Sequence, residues 1–502
     1  MKLDWWGDSR PESVVARCYL FLTNYGLLIT EHLVLITPFT ILHMLPVRLQ
    51  RLLGDDGVPM RVARAFADSG FDLYLVGGSV RDALMDRELE DFDFTTPATP
   101  DDIEQVLRGI AHSVITIGKE FGTIGGTIDD VIVEITTFRS EIYRDESRNP
   151  VVSFSTSLEE DLSRRDFSVN AMALRLLPEP EMVDPYGGLV DLGAAVLRTP
   201  IEPRISFGDD PLRMLRLFRF ASTLGFSPDE AALDAAAEMS DRLSIISSER
   251  IRDELDRLLM GADATTALHG IVASGLADVF VPELPALAVE QDPVHRHKDV
   301  LAHTFAVVAQ CPSDRITRLA ALFHDVGKPA TRAFGDGGVT FHHHEVVGSR
   351  MTKSRMRDLR YSKEDVASVA RLVYLHMRPH TFKMGWTDRA VRRYVRDAGD
   401  LLQQLNDLVR ADVTTRNEKK ARQIQRRIDE LEERIADLRG REELDAIRPP
   451  IDGNQVMVIL DLAPGPAVGE AMDFLLEHRL DHGPYSEEEA ERLLREWVAN
   501  RE

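Results

Sequence analysis

Cysteine is nearly missing: Cys18 and Cys311 are the only two in 502 residues. Two thiols provide no disulfide framework, and a reducing, cytoplasmic setting fits. Positive charge is short as well. Lys and Arg number 60 against 83 Asp and Glu, which leaves a net charge of −23. That excludes a protein holding nucleic acid with its whole surface, so any RNA contact has to come from local basic patches. Long apolar runs are also absent. Tyr19 to Leu45 comes nearest, but Asn24, Glu31, His32 and Pro38 interrupt it, whereas a membrane helix needs about 20 predominantly apolar residues. Asp4, Asp8 and Glu12 precede it, where a secretory signal has basic residues. Neither a membrane contact nor a leader is expected.

What is present is ordinary globular material, 44% hydrophobic and 28% charged. At about 100–200 residues per domain, the length fits three or four domains. One stretch organises the rest, Asp72 to Phe94, which reads DLYLVGGSVRDALMDRELEDFDF. Leu73 to Val76 reads as a buried strand, and Gly77-Gly78 as a turn that only residues without Cβ make cheaply. Ser79 stands at the expected N-cap of a helix over Val80 to Met85. A glycine turn opening a helix presents N–H groups and a positive dipole end to an anion such as a phosphate. Arg81 adds a bidentate charge there, with Asp82 beside it. Asp91 and Asp93 then flank Phe92, so strand alternation puts both carboxylates on one face. Carboxylates that close repel unless a divalent cation sits between them, and Mg²⁺ with substrate phosphates suits the arrangement. Phosphate cradle plus carboxylate pair implies metal-assisted phosphoryl or nucleotidyl transfer. The bland alternative is a turn followed by a solvated edge strand.

The combination resembles the signature of the nucleotidyltransferase superfamily, specifically the class II tRNA nucleotidyltransferases (CCA-adding enzymes) and the bacterial poly(A) polymerases. The resemblance runs from about Val58 onward. It implies an α+β fold class: a polymerase beta-like nucleotidyltransferase head with a mixed or antiparallel sheet, then an all-α neck, an HD domain and a helical tail. The expected limits are 58–200 for the head, 201–290 for the neck, 291–415 for the HD domain and 416–502 for the basic helix and tail. Residues 1–57 have no counterpart in the family pattern, which raises Met44 or Met60 as alternative initiators. Mass spectrometry of the natural N-terminus decides that point.

Within the head, Val114 to Ile117, Gly122 to Ile128 and Val131 to Thr137 read as strands. Glu134 in the last of these could complete the metal site or act as base; a glutamate of an edge strand in water is the rival reading. Ile117 to Gly126 looks more like the CCA-adding branch than the poly(A) branch, which carries a more arginine-rich stretch there. Arg144 to Ser157 reads as polar and mobile. The segment DLSRRDFSVNAMA (Asp161 to Ala173) resembles the second family motif. Arg164 and Arg165 suit triphosphate oxygens, and Asp166 and Asn170 suit ribose hydroxyls.

Phe207 to Ala221 follows, with Pro211 as first helical residue and Asp210 and Arg213 one turn apart; Arg216 follows on a nearby row. Arg213 only donates hydrogen bonds and an ionised Asp210 only accepts them. Cytosine and adenine both offer an amino donor beside a ring-nitrogen acceptor, whereas guanine and uracil present the opposite order. The fork therefore takes CTP and ATP and rejects GTP and UTP, by about 10⁴–10⁵ where mispairing is complete. The family reads Glu-Asp where this chain has Asp209-Asp210. Ser247 to Leu259 has a capped, helix-spaced pattern and resembles the neck helix, with Glu249 and Arg250 in reach of the fork.

His303, the His324-Asp325 doublet and Asp412 resemble the HD phosphohydrolase ligand pattern, which implies a second divalent ion, Mg²⁺, Mn²⁺ or Ni²⁺. His344 and His376 could line the same cavity, while His342 and His343 read as solvated loop. The stretch from Arg416 to Arg439 is an amphipathic helix with Ile424, Ile428, Leu431, Ile435 and Leu438 as its seam. Arg416, Lys419, Lys420, Arg422, Arg426 and Arg427 crowd its first half, a basic patch fit for a tRNA backbone or, equally, a solvated face. The implied activity is template-independent addition of C, C and A to tRNA from CTP and ATP, with tRNA as partner and no obligate protein partner. A poly(A) polymerase on the same scaffold and an HD-type metal-dependent phosphohydrolase are the rivals.

Overall fold

The structure, a computed structural model, describes residues 57–500 together with 52 and 54, apart from 90, 143–150, 156, 290–298, 336–337, 382–385, 415–417 and 445–446. The stretch Tyr19 to Leu45, Met44 and Arg416 therefore lie outside the described residues. Met60 lies inside, its side chain buried in a helix that opens at Val58. The chain divides into two compact units, Met1–Pro282 and Glu283–Glu502. None of the described helices is long and apolar enough to cross a membrane.

The first unit is built on a seven-stranded mixed sheet in the order β3-β4-β5-β2-β1-β8-β9. Its strands are β1 (Tyr74–Val76), β2 (Asp91–Thr96), β3 (Ser113–Ile115), β4 (Thr123–Ile128), β5 (Val131–Thr137), β8 (Ala173–Arg175) and β9 (Glu181–Val183). A separate hairpin joins β6 (Arg139–Ile142) to β7 (Val151–Phe154), so part of the segment expected to be mobile is a paired strand. Central β2 runs antiparallel to β1 and parallel to β5. Its C-terminal half, Phe94 to Thr96, is buried, and a strand covered on both faces there holds its N-terminal half rigidly at the sheet's open end.

The turn after β1 departs from expectation. Helix α1 spans Gly78–Leu84 with Gly77 as N-cap at φ 69°. Ser79 is thus inside the first turn and caps nothing; the positive φ falls to Gly77, where a Cβ would be strained. The second motif is not one helix either. Helix α2 (Leu158–Ser163) stops before Arg164, and Ser168–Asn170 is a separate 3₁₀ turn. Two longer helices complete the unit's functional part, α3 (Leu212–Leu224) and α4 (Ser248–Met260), the latter capped by the Ser247 hydroxyl. They pack against each other. In α3, Leu212, Leu215 and Phe218 are buried together with Met214, Leu217 and Phe220, each contributing about 1.5–3 kcal/mol.

The second unit is helical: α5 (Val300–Gln310), α6 (Arg315–Phe323), α7 (His344–Asp358), α8 (Lys363–Leu375), α9 (Asp388–Ala398), α10 (Leu402–Ala411) and α11 (Glu418–Arg441). In α11 the expected seam holds from Ile428 onward, while Ile424 is half-buried. Ile428, Leu431, Ile435 and Leu438 are buried, and the helix packs on α9 and α10. A small tail of three helices ends the chain around Val456, Ala471, Leu475, Ala490 and Leu494.

Candidate active site

The parallel register of β2 and β5 puts Asp91 opposite Ile132 and Asp93 opposite Glu134. Three carboxylates therefore share one sheet face, Asp91 and Glu134 exposed and Asp93 half-buried. The Ser79 hydroxyl accepts from the Asp93 N–H at 3.1 Å, which ties the glycine turn to the carboxylate strand. A Cβ on Gly77 would lie 3.0 Å from Arg165 Nη1 and 3.9 Å from Asp93 Oδ2. The turn's open space is thus bounded by a guanidinium on one side and a carboxylate on the other. Burial, with Asp91 and Glu134 adding to it against Arg165, pushes the Asp93 carboxyl up to about 6. A buried carboxyl that resists ionisation, beside two further carboxylates, is a donor set suited to Mg²⁺.

Asp161, passed over in the sequence, organises the two arginines behind that face. It is fully buried, accepting from Arg164 Nη2 at 2.8 Å and Arg165 Nη2 at 3.4 Å, while Thr95 of β2 donates to it at 3.4 Å. Burial works against its ionisation, but the two guanidinia outweigh it and hold the carboxyl below its ordinary value. The i, i+3, i+4 spacing of Asp161, Arg164 and Arg165 was the available signal.

A continuous polar chain links α1 to the helices of the neck. Arg81 chelates neighbouring Asp82 and donates to Asn170 Oδ1; Asn170 donates to Asp166 Oδ1 at 2.8 Å. Arg216 Nε donates to Asp166 Oδ2 at 2.9 Å. Burial opposes ionisation of Asp166, yet Arg216 and Asn170 outweigh it and hold its carboxyl far below the usual range. Asp166, Asn170 and Arg216 thus engage one another here. Glu254 of α4, also missed in the sequence, closes the chain, 3.5 Å from Arg216 and 2.8 Å from Arg219. Its side chain is 6% exposed. Glu254→Gln leaves the largely buried Arg219 guanidinium without its carboxylate, while Arg216 keeps Asp166, and we expect a loss of about 3 kcal/mol in urea unfolding.

Asp210 and Arg213 do not bond to each other through their side chains. Asp210 Oδ1 accepts from the Leu212 N–H at 3.0 Å and Oδ2 from Arg250 at 2.9 Å. Buried Arg213 donates Nη1 to the Ser206 carbonyl and hydroxyl and Nη2 to the Arg164 carbonyl. By the donor inventory, Arg213 keeps its Nε–H and one Nη2–H, and each Asp210 oxygen keeps a lone pair. The fork is held at its back and retains capacity in front.

In the second unit, two groups of possible metal ligands adjoin: His303, His324 and Asp412, and Asp325, His344 and His376. Most stand at helix ends, His324 after α6, His344 opening α7, His376 after α8 and Asp412 after α10. Nδ1 of His324, His344 and His376 lies 2.7, 2.8 and 2.6 Å from the carbonyls of Ala321, Phe341 and Val373. His303 Nδ1 meets the Thr414 hydroxyl at 2.6 Å. That orientation turns every Nε2 inward, where it is available to a metal. The Nε2 atoms of His303 and His324 are 3.3 Å apart, as are those of His344 and His376. Asp325 faces both pairs, Oδ2 lying 3.2 Å from His324 and Oδ1 3.4 Å from His344; Lys328 also reaches Oδ2, at 2.6 Å. Burial and the neighbouring His324 push the His376 imidazole down to about 3, so it is neutral at any physiological pH. A Cβ on Gly327 would meet the His344 carbonyl at 2.2 Å, which explains a glycine between the Asp325 turn and α7. His342 and His343 are exposed, as expected.

Three family models match the chain: Poly A polymerase head domain over 73–198, Probable RNA and SrmB-binding site of polymerase A over 225–287, and HD domain over 301–437. An A-adding tRNA nucleotidyltransferase of Deinococcus radiodurans is 34% identical over 439 residues, 84% of this chain and 95% of that protein. A CCA-adding enzyme of Bacillus velezensis is 39% identical over 221 residues, 44% of this chain and 53% of that protein, so the match spans about half of its length. The Bacillus stearothermophilus CCA-adding enzyme, solved in complex with CTP, superposes with a TM-score of 0.65 at 23% identity, covering 91% of this chain and 98% of that one. The carboxylate face, the helical neck and the HD cluster therefore belong to a nucleotidyltransferase, and the chain is a member of the tRNA nucleotidyltransferase (CCA-adding enzyme) and poly(A) polymerase family, in a form that carries an HD domain.

Proposed function

We propose that this chain completes tRNA 3′ ends, adding C, C and A from CTP and ATP. The observation that carries the reading is the face shared by Asp91, Asp93 and Glu134 in front of the Gly77 turn and Arg165. The 3′-hydroxyl oxygen of the tRNA bonds to the α-phosphorus as the bond to the β-phosphate oxygen breaks, and pyrophosphate leaves. Asp91 and Asp93 would hold Mg²⁺, which when bound neutralises phosphate charge and acidifies the attacking hydroxyl. Arg165, steadied by Asp161, and the N–H groups at Gly77 and Gly78 bind the triphosphate. Arg81, Asp82 and Arg164 support that cradle, and the Asp166–Asn170–Arg216 chain borders the sugar. Asp210 and Arg213 read the base. Holding the nucleotide in line with the hydroxyl supplies much of the rate.

The test is extension of a tRNA that lacks its last three nucleotides, with each labelled NTP in turn. Two C additions, then one A and a stop, support the reading. Addition of A without C matches instead the activity named for the Deinococcus relative. Long runs of A identify a poly(A) polymerase.

A second reading is favoured by the inward-facing imidazoles of the HD cluster, which fit two divalent ions sharing Asp325, Mn²⁺ or Ni²⁺ suiting mixed nitrogen and oxygen donors. Such a pair acidifies water for phosphoester hydrolysis. With an Asp93→Asn background to silence the head, metal-depleted protein is expected to take up two Mn²⁺ per chain by elemental analysis. His376→Ala should lower that to one. Unchanged uptake in His376→Ala overturns the shared arrangement.

A further inference from the structure

We infer that Phe220 is a positioning residue of the nucleotide site, its ring seating the Arg81 guanidinium so that N–H groups stay free for phosphate; this rests on the nucleotide reading above. The Phe220 side chain in α3 is buried and lies under three guanidinia. The Cζ atoms of Arg219, Arg81 and Arg216 stand 3.6, 5.2 and 5.4 Å from the ring centroid. All three fall within the span of about 6 Å over which a ring face attracts a cation. Phe167 meets the same ring in a T-shaped contact, with the centroids 5.7 Å apart. Three parts of the head and neck thus converge on one aromatic side chain: α1 through Arg81, the second motif through Phe167, and α3 itself.

A phenylalanine that only filled the core would not need this company. Phe218, also in α3, is fully buried and sits against Gly270, and among the described residues no guanidinium lies over its ring. The difference has a use at Arg81. Its Nε–H and one Nη2–H go to Asp82, and one Nη1–H goes to Asn170. Of the five N–H groups of a guanidinium, that leaves one on each terminal nitrogen. A further carboxylate would hold the arginine but consume those two donors. An aromatic face holds the cation and accepts neither. Because Phe220 and Arg213 share α3, the ring also fixes the separation between the triphosphate cradle and the base fork. Positive charge is crowded around it. Burial, with Arg216 adding to it against Glu254, lowers Arg219 to about 10. An aliphatic side chain would fill the same space without a negative face for these cations.

The experiment replaces Phe220 in the full chain by mono-, di- and trifluorophenylalanine through nonsense suppression. Fluorine withdraws density from the ring face and barely alters its size, so packing is kept while the cation loses its seat. KM for CTP and for ATP in tRNA extension should climb with each fluorine, by about tenfold in total, the worth of one desolvated contact of this kind. Turnover at saturation should stay within about twofold, as for a contact made equally in ground and transition states. Inhibition by inorganic tripolyphosphate, which has no base to read, should weaken in step, and the preference for CTP over UTP should not move. The same series at Phe218 is the control, and KM there should stay flat whatever happens to the melting temperature. A flat KM in the Phe220 series overturns the assignment, as does an equal climb at Phe218 or a climb without weaker tripolyphosphate inhibition. If the unaltered chain incorporates nucleotides and the Phe220 series is flat, this assignment alone fails. An unaltered chain that neither incorporates nucleotides nor binds tripolyphosphate removes the nucleotide reading and this assignment together.

Discussion

Asp93→Asn should lower nucleotide incorporation by at least about 10³-fold, because a lost carboxylate ligand forfeits several kcal/mol of charge stabilisation. The same substitution should make the metal-free protein more stable at pH 7.5. Burial and the neighbouring Asp91 and Glu134 set the folded Asp93 carboxyl at about 6, against about 3.9 in an unfolded chain. Between those values the folded state binds more protons, so stability is fully present below about pH 4 and is lost as pH rises through about 6. Asparagine has no such proton to lose, and the gain at pH 7.5 should be about 1–2 kcal/mol in urea unfolding with EDTA present. Activity and stability moving in opposite directions is the signature of a site built for a cation. Mg²⁺ should accordingly raise the melting temperature of the unaltered protein more at pH 7.5 than at pH 5.5. Equal Mg²⁺ stabilisation of the Asp93→Asn variant would remove Asp93 from the metal site.

Much of the head was legible because its signal is local. Alternation in DFDF puts two carboxylates on one face whatever the rest of the chain does, and the pairing of Asp93 with Glu134 extends the same logic to the next strand. The cap at Ser79 was misread. Ser-after-Gly fits an N-cap, but the positive φ at Gly77 starts the helix two residues early and hands the serine hydroxyl to the Asp93 amide. Asp161 and Glu254 were overlooked for a different reason. Each supports an arginine of the proposed site from behind; Asp161 does so across three and four residues, a local spacing left unread, whereas the role of Glu254 shows only when elements distant in sequence meet. Glu254 is 38 residues from Arg216. The HD cluster lies between these cases: the His324-Asp325 doublet was visible as a motif, while the share of His344 and His376 depended on which way a helix end points its imidazole.

Asp210→Ala should collapse base discrimination. In the proposed reading the carboxylate is the acceptor for the amino group of cytosine or adenine, and without it kcat/KM for CTP and ATP should fall by about 10²–10³-fold, while the already poor GTP and UTP values change little. A preference near 10⁴–10⁵ would thereby shrink to within about 10². The helix survives the change, since losing the side-chain bond to the Leu212 N–H costs about 1 kcal/mol. Asp210→Asn separates charge from pattern. The amide keeps an acceptor for cytosine but can also turn its Nδ2 donor toward the uracil carbonyl, so UTP use should rise relative to CTP while GTP, too large for a pyrimidine pose, stays poor. Arg250→Met tests the support behind the fork. Asp210 Oδ2 loses its 2.9 Å partner, and the carboxylate gains freedom without losing its chemistry; KM for both good nucleotides should rise about tenfold with their order over GTP and UTP intact, as removal of a preorganising contact does. Arg250→Lys should restore part of that loss. If Asp210→Ala leaves the four kcat/KM values in their original ratio, the base is read elsewhere, and the remaining lone pairs of Asp210 and free N–H groups of Arg213 serve only the fold.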